Sequence, residues 1–317
     1  MRIVKAGFER ITEKDPIKKI EQVARVCYKS EDKICEGSAE KMVRALVKSK
    51  HYAMLEHGSI ILKVDTIAYS QIMGNAEILK AEFGWDVMLR NTFYDRGVIS
   101  GNFRAWLEYM QGCLKYNLVV PHILVSILLK YNPIFEENTY DSVKMEKNGA
   151  FTVVSPEELT DAERLVHEDV TIKWVCDRGV SHEIVRHRKA SYAQESTRYC
   201  NYGISGEVTF IKPCFIADSS VRYNIWEESC KQSEINYHTL ITLGAKPQEA
   251  RDVLTTSVKT EVVMTANLNE WIHFFRLRAL GTTGNPHPQM LEIAIPAMYQ
   301  MVSEFPFISE KFEEDEE

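Results

Sequence analysis

Residues 186–199 hold the densest set of groups able to do chemistry: Arg186, His187, Arg188, Lys189 and Arg198, with Ser191, Ser196 and Thr197 among them. A guanidinium stays charged at any working pH and its fork matches phosphate oxygens bidentately. Short hydroxyls add the neutral donors that complete a phosphate cradle. On a helix each residue turns about 100° from the last, so Arg186, His187 and Arg188 fan out over roughly 200°. They hold one phosphate only if the helix ends there; otherwise they reach two anionic groups, or groups in two subunits. A solvated basic helix end making surface ion pairs has the same composition. Arg251 and Arg278 stand apart downstream. Cys200 lies beside the cluster, but no base is placed against it by the sequence, and a lone Cys reads as a packing residue. His57, His182, His187 and His273 are scattered and lack ligand spacing, so no metal site is expected, and His182 reads as packing at a helix start. Neither GxGxxG nor a P-loop occurs, which leaves a Rossmann-type nicotinamide site unsupported.

The elements that must position these groups alternate between helix and strand. Ile17, Ile20, Val23, Ala24 and Cys27, then Met42, Val43, Leu46 and Val47, recur at helical spacing, so the first 60 residues read as mainly helical. Ser59–Val64 reads as a strand, 65–85 is ambiguous, and 88–100 has room for a strand. Asn102 suits an N-cap for a helix through Phe103, Trp106, Leu107 and Met110. Trp85, Trp106 and Tyr109 read as local packing. Pro121 opens a further helix that stops near Asn132-Pro133, and 132–158 is the least regular stretch. Val170, Ile172, Trp174 and Cys176 alternate with Thr171 and Lys173, which predicts a strand, and Asp177-Arg178-Gly179 turns it into a helix beginning near Val180. Helices are expected over 225–243 and 247–258, with a short strand at 262–264. Asn267 and Glu270 have capping-box spacing, and the helix after them buries Leu268, Trp271, Ile272, Phe275 and Ala279. The fold class is α/β of the α+β type: a central sheet packed with helices, in a single domain.

The chain has 317 residues, 45% of them hydrophobic and 26% charged, with a formal charge of −7. Disorder, collagen and a disulfide miniprotein are excluded by this composition. The acidic balance argues against a surface built to grip nucleic acid, while leaving room for a local basic pocket. Seven cysteines, an odd number without a CxxC pair, make a poor zinc or disulfide framework. The start lacks a secretory h-region, and the most apolar stretch, 119–129, is too short to span a bilayer. A reduced, cytoplasmic protein without a membrane or nucleic-acid partner is expected. Residues 311–317 read as a frayed acidic tail.

Arg186-His187-Arg188, seven residues and Ser196, followed by Arg198-Tyr199, resembles the RHR-x7-S signature of the flavin-dependent thymidylate synthases. Leu55-Glu56-His57-Gly58-Ser59 is similar to that family's early LEH segment. Arg251, Thr265-Ala266-Asn267 and Arg276-Leu277-Arg278 are similar to its C-terminal segments. The similarity is good over 40–64, 165–205 and 245–295, and poor over 65–160, which reads as an insertion in a single domain of this kind. Glu183 stands where many members have Gln, Asn269 where many have Arg, and Thr255 where Pro is common. Residues 281–288 lengthen the loop after Arg278.

The resemblance implies a transferase that makes dTMP from dUMP, with methylenetetrahydrofolate as carbon donor, FAD as cofactor and NADPH as reductant. It implies a homotetramer whose sites are shared between subunits. By similarity Arg186, His187 and Arg188 contact FAD, with Arg186 also near the nucleotide, and Gln194 lies between flavin and dUMP. Glu183, Glu195, Ser196, Thr197 and Arg198 line the dUMP pocket, with Arg198 and Arg251 on its phosphate. Ser59, Asn267, Asn269 and His273 are further flavin contacts, with His57 close by. Arg278 takes the catalytic role: a fixed guanidinium in a dry pocket stabilises negative charge developing on the uracil ring. No cysteine nucleophile is then needed. The alternative reading is a nucleotide- or nucleic-acid-binding module that uses the basic cluster without catalysis; a third is a homologue that kept the fold and lost activity.

Overall fold

The structure, a computed structural model, describes residues 1–93, 97–131, 134–135, 145–146 and 149–313. The chain begins with two short strands, β1 (Arg2–Val4) and β2 (Gly7–Ile11), where helix was expected. Helices α1 (Pro16–Tyr28) and α2 (Ser38–Lys48) then follow the predicted spacing. Asp15 starts α1 by accepting from the backbone N–H of Ile17 and Lys18, with Pro16 in the first turn. β3 (Ser59–Val64) leads into α3 (Thr66–Phe83), which resolves the ambiguous stretch as helix. β4 (Arg90–Phe93) and β5 (Gly97–Asn102) come next. Asn102 caps α4 (Phe103–Lys115) through the Ala105 N–H, as its type and position predict.

β6 (Val120–Pro121) precedes α5 (His122–Leu128), and β7 (Met145–Glu146) pairs with β6. β8 (Phe151–Val153) and α6 (Asp161–His167) follow. The signature region runs through β9 (Asp169–Asp177), α7 (Arg178–Ile184) and β10 (Ser191–Gln194). Then come α8 (Tyr202–Ser205), β11 (Thr209–Ile211) and the long α9 (Val221–Thr242). α10 (Pro247–Ala250) is one turn, much shorter than the helix expected over 247–258, while β12 (Lys259–Asn267) extends far beyond the three strand residues expected. α11 (Leu268–Phe275) continues into a π-helical turn at Arg276–Leu280, and α12 (Pro288–Glu304) closes the fold. Of the acidic tail, residues 314–317 lie outside the described residues.

The α/β mixture is of the α+β kind, and its sheet content divides into two four-stranded antiparallel sheets, ordered β10-β12-β9-β2 and β4-β5-β3-β8. β1 pairs in parallel with β11. Behind the first sheet, Trp174, Trp271, Phe274 and Phe275 pack ring on ring at centroid separations of 5.5–6.0 Å. Fully burying a side chain the size of Phe contributes about 1.5–3 kcal/mol. The second core joins Ile20, Val23 and Leu55 to Ile72, Leu79, Phe103, Trp106 and Tyr109. Trp106 and Tyr109 therefore pack well beyond their own neighbourhood, and the stretch read as an insertion shares a core with residues 11–64.

Candidate functional site

Asp177, at the end of β9, caps α7 by accepting from the Val180 N–H at 2.7 Å, and its second oxygen accepts from Gln289 at 2.6 Å. α7 ends at Ile184, so the Arg186–Arg188 triplet lies in the turn beyond the helix. The helical fan over roughly 200° therefore does not arise. Tyr192 Oη lies 2.6 Å from the His187 carbonyl and 3.0 Å from that of Ile184, which ties the turn to β10. Arg186 and Arg188 are exposed, whereas His187 is buried. Its ring faces Phe274 and His273 and lies 3.3 Å from Glu270. Burial, opposed by Glu270 and assisted by His273, holds the imidazole below its ordinary pKa. Within the triplet, two cations are offered outward and the histidine packs inward.

Arg188 and Ser191 open onto a cavity of about 640 Å³. Its first sheet wall is Thr265, Ala266 and Asn267 at the end of β12, with Glu270 of α11 and Asp169 of β9. Asn267 caps α11 through the Glu270 N–H at 2.9 Å, and its amide donates to the Val166 carbonyl at 2.9 Å. The reciprocal arm of a capping box is replaced: Glu270 instead faces His187 and Lys189. Below this wall a buried polar chain crosses the sheet. Thr171 and Thr265 hydroxyls are 2.8 Å apart, and Thr265 Oγ1 is 2.7 Å from His57 Nδ1. Burial pushes His57 down to about 3, so the imidazole is neutral. Ser59 hydrogen-bonds Asp169 beneath the same wall.

The other expected site residues fall into separate groups. Arg278 sits in the π-helical turn, an irregularity frequent at functional sites, and donates to the Glu183 carbonyl at 3.4 Å. Its guanidinium is also 4.0 Å from the Glu183 carboxylate. Gly281 ends that turn with φ +71°, and a Cβ there would meet Pro286 and the Gly284 carbonyl at 3.0 and 3.1 Å. In a second group, Arg251 donates to Thr197 Oγ1 at 3.2 Å and the Arg198 N–H to Ser196 Oγ at 3.3 Å. Arg198 lies over the Tyr199 ring. Gln194 is held by Ser181 at 3.0 Å and Thr260 at 3.3 Å. Asn269, His273 and His182 are exposed, and none of them lines the cavity; His182 does not pack as expected.

Glu195 is 3% exposed and saturated rather than open to a ligand. It accepts from Tyr202 Oη at 3.0 Å and Lys259 Nζ at 3.1 Å, with Lys29 at 3.5 Å. Lys29 and Lys259 also bind Glu261 at 2.6 and 2.7 Å. Burial opposes ionisation of Glu261, yet the two ammonium groups hold it down at about 2. Lys29 reaches this cluster from a left-handed φ of 49°, a conformation that costs about 1–2 kcal/mol. Cys200 is buried, and burial pushes its thiol up to about 11; it packs, as expected of it.

A model of the family described as thymidylate synthase complementing protein matches residues 10–73 and 161–307, more than half of the chain. The chain belongs to that family. Among curated relatives, the flavin-dependent thymidylate synthase of Pyrococcus furiosus is 38% identical over 104 residues, covering 32% of this chain and 43% of that protein. That of Thermococcus kodakarensis is 39% identical over 105 residues, 33% of this chain and 43% of its own length. The chain thus spans under half the length of these relatives. A crystal structure of a UMP/dUMP methylase, PolB from Streptomyces cacaoi, aligns over 98% of this chain and 96% of its own, at 14% identity and a TM-score of 0.43. The thymidylate synthase complementing protein model passes over 74–160, yet Asp86, Met88, Arg90, Asn102, Arg104 and Glu108 from that stretch line the cavity. The sequence carries no sign of their role. Glu56 and Thr265, by contrast, lie inside the Leu55–Ser59 and Thr265–Asn267 segments, whose resemblance to the family gives neither residue a contact.

Proposed function

We propose that this chain is a flavin-dependent thymidylate synthase that converts dUMP to dTMP, with methylenetetrahydrofolate as carbon donor, FAD as cofactor and NADPH as reductant. The observation that carries the reading is the meeting of Arg188 of the signature triplet with Asn267 in one cavity. The donor set suits a dinucleotide: an exposed guanidinium for a diphosphate, with hydroxyls and an amide for neutral atoms. Arg188, Ser191 and Asn267 would hold FAD, which when bound supplies the redox step. The protein contributes binding, orientation and electrostatics. His57, neutral and buried under Thr265, stiffens the floor of this site.

Arg278 is the electrostatic catalyst in this reading. Its guanidinium, braced on the Glu183 carbonyl, stabilises negative charge on the uracil ring and makes C5 a better nucleophile. Arg198 and Arg251 take the nucleotide phosphate. A homotetramer with sites shared between subunits belongs to the same reading and rests on the resemblance of the signature segments. A cytoplasmic setting is part of the same reading; among the described residues no helix is long and apolar enough to cross a membrane. The test is product formation. Purified chain given FAD, NADPH, methylenetetrahydrofolate and dUMP should yield dTMP, and omission of any one should stop it. Absence of dTMP from the complete mixture would refute the reading.

A further inference from the structure

Arg104 stands in the first turn of α4, two residues after the Asn102 cap, within the stretch that the family model passes over. Its Nη1 donates to Glu56 Oε1 at 2.7 Å and its Nε to Glu108 Oε1 at 2.7 Å. The other oxygen of Glu56 accepts from Ser191 Oγ at 2.9 Å. A continuous chain therefore runs from Glu108 through Arg104 and Glu56 to Ser191, and all four residues line the cavity. Ser191 pairs with Thr265 in the sheet register and lies three residues after Arg188.

The energetic role of this chain is limited. The Arg104 and Glu56 side chains are 42% and 23% exposed, and such pairs contribute roughly 0–1 kcal/mol to stability. Direction is what a planar fork between two carboxylates provides, since its hydrogen bonds fix orientation as well as distance. The same stretch braces the opposite wall. Arg90 grips both Asp169 oxygens at 2.6 and 2.7 Å and donates at 3.1 Å to the Val166 carbonyl, the acceptor that also holds the Asn267 amide.

We propose that Arg104 is a positioning residue of the cofactor site: acting through Glu56, it fixes Ser191 and the Arg188–Ser191 stretch against the cavity wall. The segment that carries it is thereby part of the site. This inference rests on the flavin reading above.

FAD titrations followed by flavin fluorescence test it, using the full-length chain, Arg104→Met, Glu56→Gln and the double variant. Each single substitution should weaken FAD binding by about 10-fold, the size of coupling within one hydrogen-bonded network. The double variant should be no weaker than either single one. Thermal midpoints should stay close to the parent's, and the visible band of bound flavin should change shape in Arg104→Met, which a purely structural role would leave alone. Arg104→Lys keeps the charge without the fork and should recover only part of the affinity. Unchanged FAD affinity in Arg104→Met, with the parent binding FAD, would overturn the proposal alone, as would additive losses in the double variant. A parent protein that takes up no FAD would overturn the flavin reading and this proposal with it.

Discussion

The two ends of β10 carry charge in opposite ways. At Ser191 the strand opens on a cavity where Arg188 is exposed and the wall chain through Arg104 is part-exposed. At Gln194 it runs into Glu195, buried among Lys29, Lys259 and Glu261 with two carboxylates set against two ammonium groups. Both ends belong to the same motif, and by type alone Glu195 and Arg188 look equally available to a ligand. Their partners separate them. A buried, saturated carboxylate is committed to the fold, because freeing it would leave charge unpaired in a poorly solvated place. An exposed guanidinium can take up an anion without breaking an internal bond. The motif thus combines an end committed to the fold with an end open to the ligand that the proposed reading gives it.

The sharpest way to break this contrast is Glu195→Ala. Lys29 is exposed, Lys259 is half-buried and both keep Glu261. Losing the buried carboxylate, which removes an acceptor of the Tyr202 hydroxyl, should therefore cost about 1–3 kcal/mol of stability, read as a drop in thermal midpoint. A stable variant with impaired nucleotide binding would instead make Glu195 a ligand contact. Arg278→Ala should keep flavin bound while turnover falls by about 100- to 1,000-fold, as on loss of one preorganised donor; near-normal dTMP formation would remove Arg278 from the catalytic role. Arg188→Ala should weaken FAD by roughly 10- to 100-fold, in line with a charged hydrogen bond of about 1.5–3 kcal/mol, with little change in melting.

The buried histidines sharpen the same comparison through pH. Burial lowers His57 to about 3 and His167 to about 4, against an ordinary value near 6.5. Below pH ~6.5 the unfolded chain takes up protons that the folded chain refuses, so their contribution is intact above that pH. It is lost progressively as the pH falls toward the folded values. Glu261, held at about 2, acts later: its contribution is present above about 4.5 and is lost as the pH falls through 2. Thermal midpoints should therefore decline from pH ~6.5 downward and go on falling below ~4.5, where Glu261 takes over as the histidine contributions level off. A flat profile between 6.5 and 4.5 would contradict the neutral, buried state of both imidazoles. The smallest effect is expected from Cys200→Ala: close to full turnover with a slight loss of stability, whereas lost turnover would restore the thiol as a nucleophile.

What the sequence made legible was local. The Asn102 cap, strand Ser59–Val64, strand Asp169–Asp177 and the buried face of α11 each follow from short-range period or capping chemistry. β2 was missed because Gly7–Ile11 is five residues long and becomes a strand by pairing with β9. β12 was underestimated because its polar ends, Lys259-Thr260-Glu261 and Thr265-Ala266-Asn267, lack a strand signature. They are extended because β9 pairs along its whole length. In the site, Arg188 and Asn267 were legible through motif resemblance, but the inward turn of His187 and the saturation of Glu195 depend on Phe274, Glu270, Lys29 and Lys259. Those partners lie 64 to 166 residues away along the sequence, beyond any local pattern. Arg90 and Arg104 were illegible for the same reason.

The most direct measurement is anaerobic: FAD and NADPH are added to the purified chain and flavin bleaching is followed with and without dUMP. We expect FAD to bind and dUMP to alter the rate of bleaching, since the residues proposed for flavin and for nucleotide lie on one motif around β10. Absence of flavin binding, or bleaching indifferent to dUMP, would contradict a coupled flavin–nucleotide site and leave the basic cluster as a binding surface without this chemistry.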